Sequence, residues 1–163
     1  MALEFHEVRK TFGDPASGVT AVDGVSFKVG EGEFVAVVGP SGCGKSTLLS
    51  MTAGLYQPTS GRVVVSGERV AGPNAHVGFM LQKDLLLPWR SIRANVEFGL
   101  EGRGVPRAAR RDRAMAELRR CQLEGFEGKY PYQLSGGMRQ RAALARTLAI
   151  DPEIILLDEP FSA

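Results

Sequence analysis

The sequence is poor in cysteine, in aromatic residues and in net charge, and each shortage excludes a class of protein. Its 163 residues include two cysteines, Cys43 and Cys121. They form neither a metal-binding spacing nor a disulfide framework, which fits a reducing cytosol. Aromatic residues make up 7% of the chain and the formal net charge is +2. A nucleic-acid-binding domain would need interleaved aromatics and a basic excess, so no nucleic acid is expected as a partner.

Long apolar runs are also missing. No run can cross a bilayer, and the first ten residues lack the apolar segment of a signal peptide. A heptad pattern and an internal repeat are absent as well. The composition, 44% hydrophobic and 23% charged, is that of a soluble globular protein of one domain. We therefore expect any role at a membrane to depend on a partner.

A glycine-rich stretch, Gly39-Pro40-Ser41-Gly42-Cys43-Gly44-Lys45-Ser46-Thr47, follows the apolar run Phe34–Val38. The run is predicted to be a strand, and the residues after the stretch favour a helix. This order of strand, loop and helix is typical of a phosphate-binding loop, in which backbone N–H groups and the helix N-terminus face the phosphates. Lys45 is expected to reach the phosphates and Ser46 to ligate Mg²⁺. The alternative is a plain β-to-α turn with a surface lysine.

The patterns on either side of the loop predict a mixed α/β chain. Alternation over residues 3–33 indicates half-buried antiparallel strands, and further strands are predicted at Arg62–Val65 and Val77–Leu81. Helical character runs from Ser91 to Leu123, and its arginines are interpreted as a solvated face. Before it, Leu85–Arg90 contains Pro88, so its large apolar residues are expected on a loop, either exposed to a partner or tucked into their own domain.

Two polar motifs near the end of the chain carry chemistry. Ser135 is a natural N-cap for the next helix, and glycines at 136 and 137 leave bare backbone there that a phosphate can approach. The run Ile154–Leu157 is predicted to be a parallel strand buried on both faces, and it ends in Asp158 and Glu159. Asp158 is expected to hold Mg²⁺ and Glu159 to polarise the attacking water. The alternative is two acids at a strand end that serve solubility.

Taken in order, these motifs resemble the ATP-binding subunit of ABC transporters over essentially the whole chain. The decisive segment is Leu-Ser-Gly-Gly-Met-Arg-Gln-Arg at 134–141. The Leu-Leu-Pro-Trp-Arg run and Met138 resemble the nitrate, sulfonate and taurine importer group. The resemblance implies an α/β P-loop NTPase (RecA-like) core over 1–87 and 134–163, with an N-terminal antiparallel β subdomain and an inserted helical subdomain at 88–133.

The resemblance also implies roles for individual residues. Phe12 matches the aromatic that stacks on adenine, although a core aromatic is the alternative interpretation of a lone phenylalanine. Gln82 matches the glutamine that contacts Mg²⁺ and the attacking water, which adds it to Lys45 and Glu159 as a catalytic candidate. The expected metal set is Ser46, Gln82 and Asp158. The implied ATP-binding residues are Phe12, Gly39, Pro40, Ser41, Gly42, Cys43, Gly44, Lys45, Ser46, Thr47, Ser135, Gly136 and Gly137.

The implied assembly is a head-to-tail homodimer with two ATP molecules between the copies. Such a dimer works with membrane permease subunits, and indirectly with an external substrate-binding protein, on the cytoplasmic face of the membrane. Family members continue beyond the carboxylate strand, so this chain is expected to be a fragment that aggregates and hydrolyses ATP little or not at all. Two other functions remain open, namely a non-catalytic nucleotide-binding fragment and a soluble ABC protein of DNA repair or translation.

Overall fold

The computed structural model describes residues 1–14 and 17–160, which form two compact units divided between Val77 and Gly78. In the first unit, the strands are β1 (Leu3–Phe12), β2 (Val19–Val29), β3 (Ser60–Val65) and β4 (Glu68–Arg69), and the helix is α1 (Lys45–Thr52). The division falls after the first residue of β5 (Val77–Met80), and the second unit continues with α2 (Ile92–Gly102), α3 (Arg107–Arg120), a 3-10 turn (Pro131–Gln133), α4 (Gly136–Ala149) and β6 (Ile154–Leu157). The mixed α/β character predicted from the sequence is confirmed.

The first unit is built on an antiparallel sheet with the strand order β2-β1-β3-β4. Leu3, Phe5 and Val8 are its buried residues on β1. The buried residues of β1 thus change from odd to even positions between Phe5 and Val8. The pairing of β1 with β2 has a register irregularity at the same place, and Glu7 there has a positive φ of 47°. A bulge of this kind adds a residue to one strand and reverses which side chains face the core. The predicted antiparallel strands over residues 3–33 are confirmed.

The apolar run before the glycine stretch differs from its prediction. Residues 33–40 contain no assigned strand, and none of the described strands pairs with them. Phe34 and Val38 are 92% and 90% exposed. A strand needs a neighbour to satisfy its backbone N–H and C=O groups, so composition alone does not produce one. The predicted strand at Phe34–Val38 was therefore wrong for this structure, although the loop and helix that follow it are present.

Helices form the core of the second unit. The largest fully buried side chains on α2 and α3 are Ile92, Val96 and Leu118, and α4 contributes small buried residues such as Ala142 and Ala145. Small side chains allow α4 to pack closely against both other helices. The arginines at 107, 111, 113, 119 and 120 of α3 are exposed and Arg110 is half-buried, so the predicted solvated face is confirmed.

The strand before the two carboxylates is less buried than its sequence predicted. β6 pairs with β5 as the two members of one sheet among the described strands. Leu156 is 6% exposed, whereas Ile155 is 45% exposed. The prediction of burial on both faces was wrong, because that pattern requires layers on both sides of the sheet. No helix of the described residues is long and apolar enough to traverse a bilayer.

Candidate functional site

The glycine stretch of the first unit forms an exposed loop that leads directly into α1. Gly42 and Gly44 have positive φ angles of 81° and 98°, and Gly44 is the N-cap of α1. A Cβ atom at Gly44 would lie 2.3 Å from the backbone oxygen of Ala21. The bend therefore requires glycine at 44 for both its backbone angles and its lack of a side chain.

Lys45, the first residue of α1, lies with its ammonium group over this loop. Its Nζ donates hydrogen bonds to the backbone oxygens of Gly39 (2.8 Å) and Pro40 (2.9 Å). The first N–H groups of a helix have no partners within the helix and carry a partial positive charge. The loop thus combines one full charge with the N-terminus of α1, an arrangement suited to a phosphate group.

We expect Gly44→Ala to destabilise the first unit more than Gly42→Ala does. Both changes place alanine at a positive φ, which costs about 1–2 kcal/mol. At Gly42 an added Cβ meets nothing within 4 Å, whereas at Gly44 it would meet the Ala21 oxygen. Chemical denaturation should give a difference between the variants of roughly 1–3 kcal/mol, the range for overpacking. Equal losses would show that the contact with Ala21 is relieved without cost.

In the second unit, the structure brings Gln82 and Glu159 together. Nε2 of Gln82 donates a hydrogen bond of 2.8 Å to Oε2 of Glu159. The two residues are 77 positions apart, and they meet because each follows one of the paired strands, β5 and β6. The backbone N–H of Asp158 donates to the Met80 oxygen at 3.0 Å, and Asp158 is 8% exposed. A buried carboxylate, an accessible carboxylate and an amide therefore share one edge.

The chemistry of these donors fits Mg²⁺. Among the described residues, no group of three or more His, Cys, Asp or Glu side chains is close enough to hold a metal. In nucleotide sites, Mg²⁺ takes oxygen ligands in an octahedron, with one or two carboxylates among them and with waters and phosphate oxygens. The hydroxyl of Ser46, the amide oxygen of Gln82 and the carboxylate of Asp158 are oxygen donors of the required type.

The segment at 134–141 forms the start of α4, as its sequence predicted. Oγ of Ser135 accepts a hydrogen bond from the Met138 N–H at 3.3 Å, so the predicted N-cap is confirmed. Leu134 is buried and anchors the turn. Ser135 and Gly137 are exposed, and a Cβ at Gly137 would meet no atom within 4 Å. The first turn of α4 therefore presents open backbone.

Two arginines of α4 bind the segment that follows Gln82, and sequence reasoning missed both. Arg139 donates from Nε to Asp84 at 3.0 Å and from Nη1 to the Leu134 oxygen at 2.9 Å. Arg146 donates to the backbone oxygens of Asp84 and Leu85, each at 2.7 Å. Burial lowers the pKa of the Arg146 guanidinium, and the Asp84 carboxylate raises it. The available signal was their spacing of seven residues, which places both on one side of α4.

A cleft of about 470 Å³ lies between this segment and the start of α4. Its lining residues are Gln82, Lys83, Asp84, Leu85, Leu86, Gly136, Arg139 and Gln140.

The apolar loop at Leu85–Arg90 is divided between core and surface. Leu86 is buried, whereas Leu85 is 53% and Trp89 is 72% exposed. Leu86 is therefore tucked into its own unit, and a partner for the exposed Leu85 and Trp89 stays a prediction. Its shape depends on Asn95 of α2, which is fully buried and bonds to the backbone of Leu87, Arg90 and Ser91. Sequence reasoning missed Asn95, whose only signal was a polar residue on the apolar side of α2.

Phe12, the predicted base-stacking residue, is the last residue of β1. Phe12 is 38% exposed, so the alternative interpretation as a buried core aromatic does not hold. Tyr56 contacts it edge-on, with 5.4 Å between the ring centroids.

The ABC transporter family model matches residues 22–162. The chain belongs to this family. An uncharacterized ABC transporter ATP-binding protein of Methanocaldococcus jannaschii is 50% identical over 161 residues, which are 99% of this chain and 60% of that protein. A taurine import ATP-binding protein of Burkholderia pseudomallei is 50% identical over 157 residues, with 96% of this chain and 60% of that protein covered. This ABC chain thus spans about 60% of the length of these curated relatives.

Solved structures of ABC cassettes share the fold. The dimeric ATP-binding cassette MJ0796, bound to ADP and phosphate, matches with a TM-score of 0.88 and 35% identity over 99% of this chain and 75% of that one. A protein of the cbiONQ ABC transporter complex of Clostridium perfringens matches with a TM-score of 0.84 and 28% identity, covering 98% and 65%. The predicted fold class, an ABC cassette with an antiparallel β part and a helical part, is confirmed.

Proposed function

We propose that this chain is the ATP-binding and hydrolysing part of an ABC importer. The observation that carries the proposal is the hydrogen bond between Gln82 and Glu159 at the end of the paired strands β5 and β6. A solubility role for the two acids would not require a glutamine directed at one of them. A polar pair at a strand end suits the orientation of a water molecule for attack on a phosphate.

The residues divide the work of hydrolysis. Lys45 and the N–H groups of the glycine loop neutralise the phosphate oxygens, as fixed donors do in phosphoryl transfer. Ser46, Gln82 and Asp158 would hold Mg²⁺, which when bound would offset the negative charge of the transferring phosphoryl group. Gln82 orients the attacking water, and the Glu159 carboxylate accepts its proton. Phe12 stacks on the adenine.

The first turn of α4 is the proposed contact with a second copy. Ser135, Gly136 and Gly137 offer a hydroxyl and open backbone N–H groups to the γ-phosphate held by that copy. Ser135 and Gly137 are exposed, as this role requires. The dimeric state of the MJ0796 cassette supports a dimer here as well. ATP would then join two copies head to tail.

The membrane partners are proposed to be permease subunits, with this chain peripheral on the cytoplasmic face. The exposed Leu85 and Trp89 provide an apolar contact for them. Several relatives with 48–50% identity are named taurine import ATP-binding proteins. We infer from this that the transported compound is a small anion such as taurine, another sulfonate or nitrate, delivered by an external substrate-binding protein.

Replacing Lys45 with alanine tests nucleotide binding directly. We expect the affinity for ATP to fall roughly 10- to 100-fold, because a hydrogen bond to a charged group contributes about 1.5–3 kcal/mol. Isothermal titration calorimetry can measure the affinity for ATP. Lys129→Ala is the control, because Lys129 is an exposed lysine of the other unit. Equal affinities of Lys45→Ala and the parent would contradict the assigned role of the loop.

A further inference from the structure

Three side chains of the first unit form a surface cluster at the end of β1, here called the aromatic corner: Lys10, Phe12 and Tyr56. The Phe12 and Tyr56 rings meet edge to face, at an interplanar angle of 80°. Nζ of Lys10 lies 5.1 Å from the centroid of Phe12 and 5.7 Å from that of Tyr56. Phe12 and Tyr56 are 38% and 45% exposed, so both rings keep accessible surface.

The segment that carries Tyr56 is fastened to β1 by hydrogen bonds. The Thr59 N–H donates to the Arg9 oxygen at 2.7 Å, and the Thr11 N–H donates to Oγ1 of Thr59 at 3.0 Å. Nζ of Lys10 donates to the Gln57 oxygen at 2.8 Å. These bonds join three successive residues of β1, Arg9, Lys10 and Thr11, to the segment and fix its position along the strand. Tyr56 is therefore held against Phe12 by the backbone, and not by ring contact alone.

Lys10 serves both parts of the aromatic corner at once. Its ammonium group is within cation–π range of the two rings while it bonds the Gln57 oxygen. A cation shared by two rings favours one relative orientation of those rings. Lys10 and Phe12 also lie two residues apart on β1, and hence on one face of the strand. The result is a partly exposed aromatic surface whose two rings share one cation.

Such a surface is suited to a flat aromatic ligand. Every nucleobase has a π-face that stacks on an aromatic side chain, and a neighbouring cation strengthens the contact. A ring that is free to rotate loses conformational entropy when a base stacks on it, whereas a ring already held in place loses less. Support from Tyr56 and Lys10 would therefore increase the affinity for a base without direct contact.

We propose that Tyr56 and Lys10 are positioning residues that hold Phe12 for the base of a nucleoside triphosphate. The inference rests on the proposed function, since it assumes that Phe12 stacks on the base. It adds that affinity for the base, but not for the phosphates, depends on Tyr56 and Lys10. The contributions of the base and of the triphosphate to the affinity can accordingly be measured separately.

The test compares ATP with inorganic tripolyphosphate, which has phosphates and no base. Isothermal titration calorimetry on the full chain would give both affinities for Tyr56→Ala, Tyr56→Phe and Phe12→Ala. We expect Tyr56→Ala to weaken ATP binding about fivefold, the value of an aromatic pair, while Tyr56→Phe stays within about twofold of the parent. Tripolyphosphate affinity should be the same for all. Lys10→Met should weaken ATP binding about threefold.

Tyr132→Ala is the matched control. Tyr132 is also an exposed tyrosine that contacts a second ring, with 5.9 Å between its ring centroid and that of Tyr130, but it lies in the other unit. It should leave both affinities unchanged. If Phe12→Ala weakens ATP binding and Tyr56→Ala does not, the positioning role is overturned. Equal losses for ATP and tripolyphosphate in Tyr56→Ala would overturn it too, because they indicate general damage. A parent that does not bind ATP would instead contradict the proposed function.

Discussion

Replacing Glu159 with glutamine should lower ATP turnover by at least about a hundredfold, the lower limit for loss of a general base. The affinity for ATP should change little. Oε2 of Glu159 accepts a hydrogen bond from Nε2 of Gln82, and glutamine keeps both the size and an acceptor oxygen there. What it lacks is a carboxylate that can take a proton from water. Phosphate release measures the turnover.

The same variant should accumulate as a dimer with ATP. Hydrolysis removes the ligand that joins the copies, so a variant that binds ATP without cleaving it remains joined. Light scattering after size-exclusion chromatography measures the mass with and without ATP. Glu124→Gln is the control, because Glu124 is an exposed glutamate of the same unit and should behave as the parent. If the Glu159→Gln variant stays monomeric with ATP while the parent still hydrolyses ATP, the two-copy mechanism is ruled out.

Asn95→Ala is expected to destabilise the second unit strongly. The side chain is fully buried and lies within hydrogen-bonding distance of four backbone groups. Oδ1 accepts from the Leu87 N–H at 2.7 Å, and the two hydrogens of Nδ2 are shared among the oxygens of Leu87, Arg90 and Ser91, each 3.1 Å away. Alanine removes the amide that these backbone groups bond to, and each lost hydrogen bond costs about 1 kcal/mol of stability or more. We expect the free energy of unfolding to fall by roughly 3–5 kcal/mol.

Urea denaturation would measure this loss, and limited proteolysis would show where it acts. Trp89 and Arg90 lie in the loop that Asn95 holds, so cleavage after Arg90 should become faster in the variant. Asn74→Ala is the control, because the described bond of that side chain is to the His76 N–H at 2.9 Å. Its cost should be about 1 kcal/mol. A similar cost at both positions would mean that the loop finds other partners when Asn95 is lost.

Motifs with fixed spacing were the features that could be predicted from the sequence. The glycine loop before α1 and the Ser135 cap of α4 depend on neighbours within a few residues, so their residue types are sufficient. Phe34–Val38 shows the limit of such reasoning. Its residues favour a strand, but a strand also depends on a partner that the run itself does not specify.

Asn95 and Arg146 were missed for a related reason. Both bond mainly to backbone oxygens, which every residue carries, so no pattern in the sequence marks their partners. The contact between Gln82 and Glu159 joins positions 77 residues apart. Only the pairing of β5 with β6 brings them together, and pairing is a long-range property of the fold.

The contacts of Arg146 have a consequence for how this chain can vary. Its guanidinium bonds to the main-chain oxygens of Asp84 and Leu85. Substitutions at 85 therefore leave that acceptor in place, and homologues can change this part of the surface near Gln82 while keeping its attachment to α4, whereas a substitution at Asp84 also removes the carboxylate that Arg139 binds. Arg146 has no such freedom, since lysine lacks the planar fork that reaches two oxygens at once. Across related transporters, position 146 should accordingly vary less than the loop it holds.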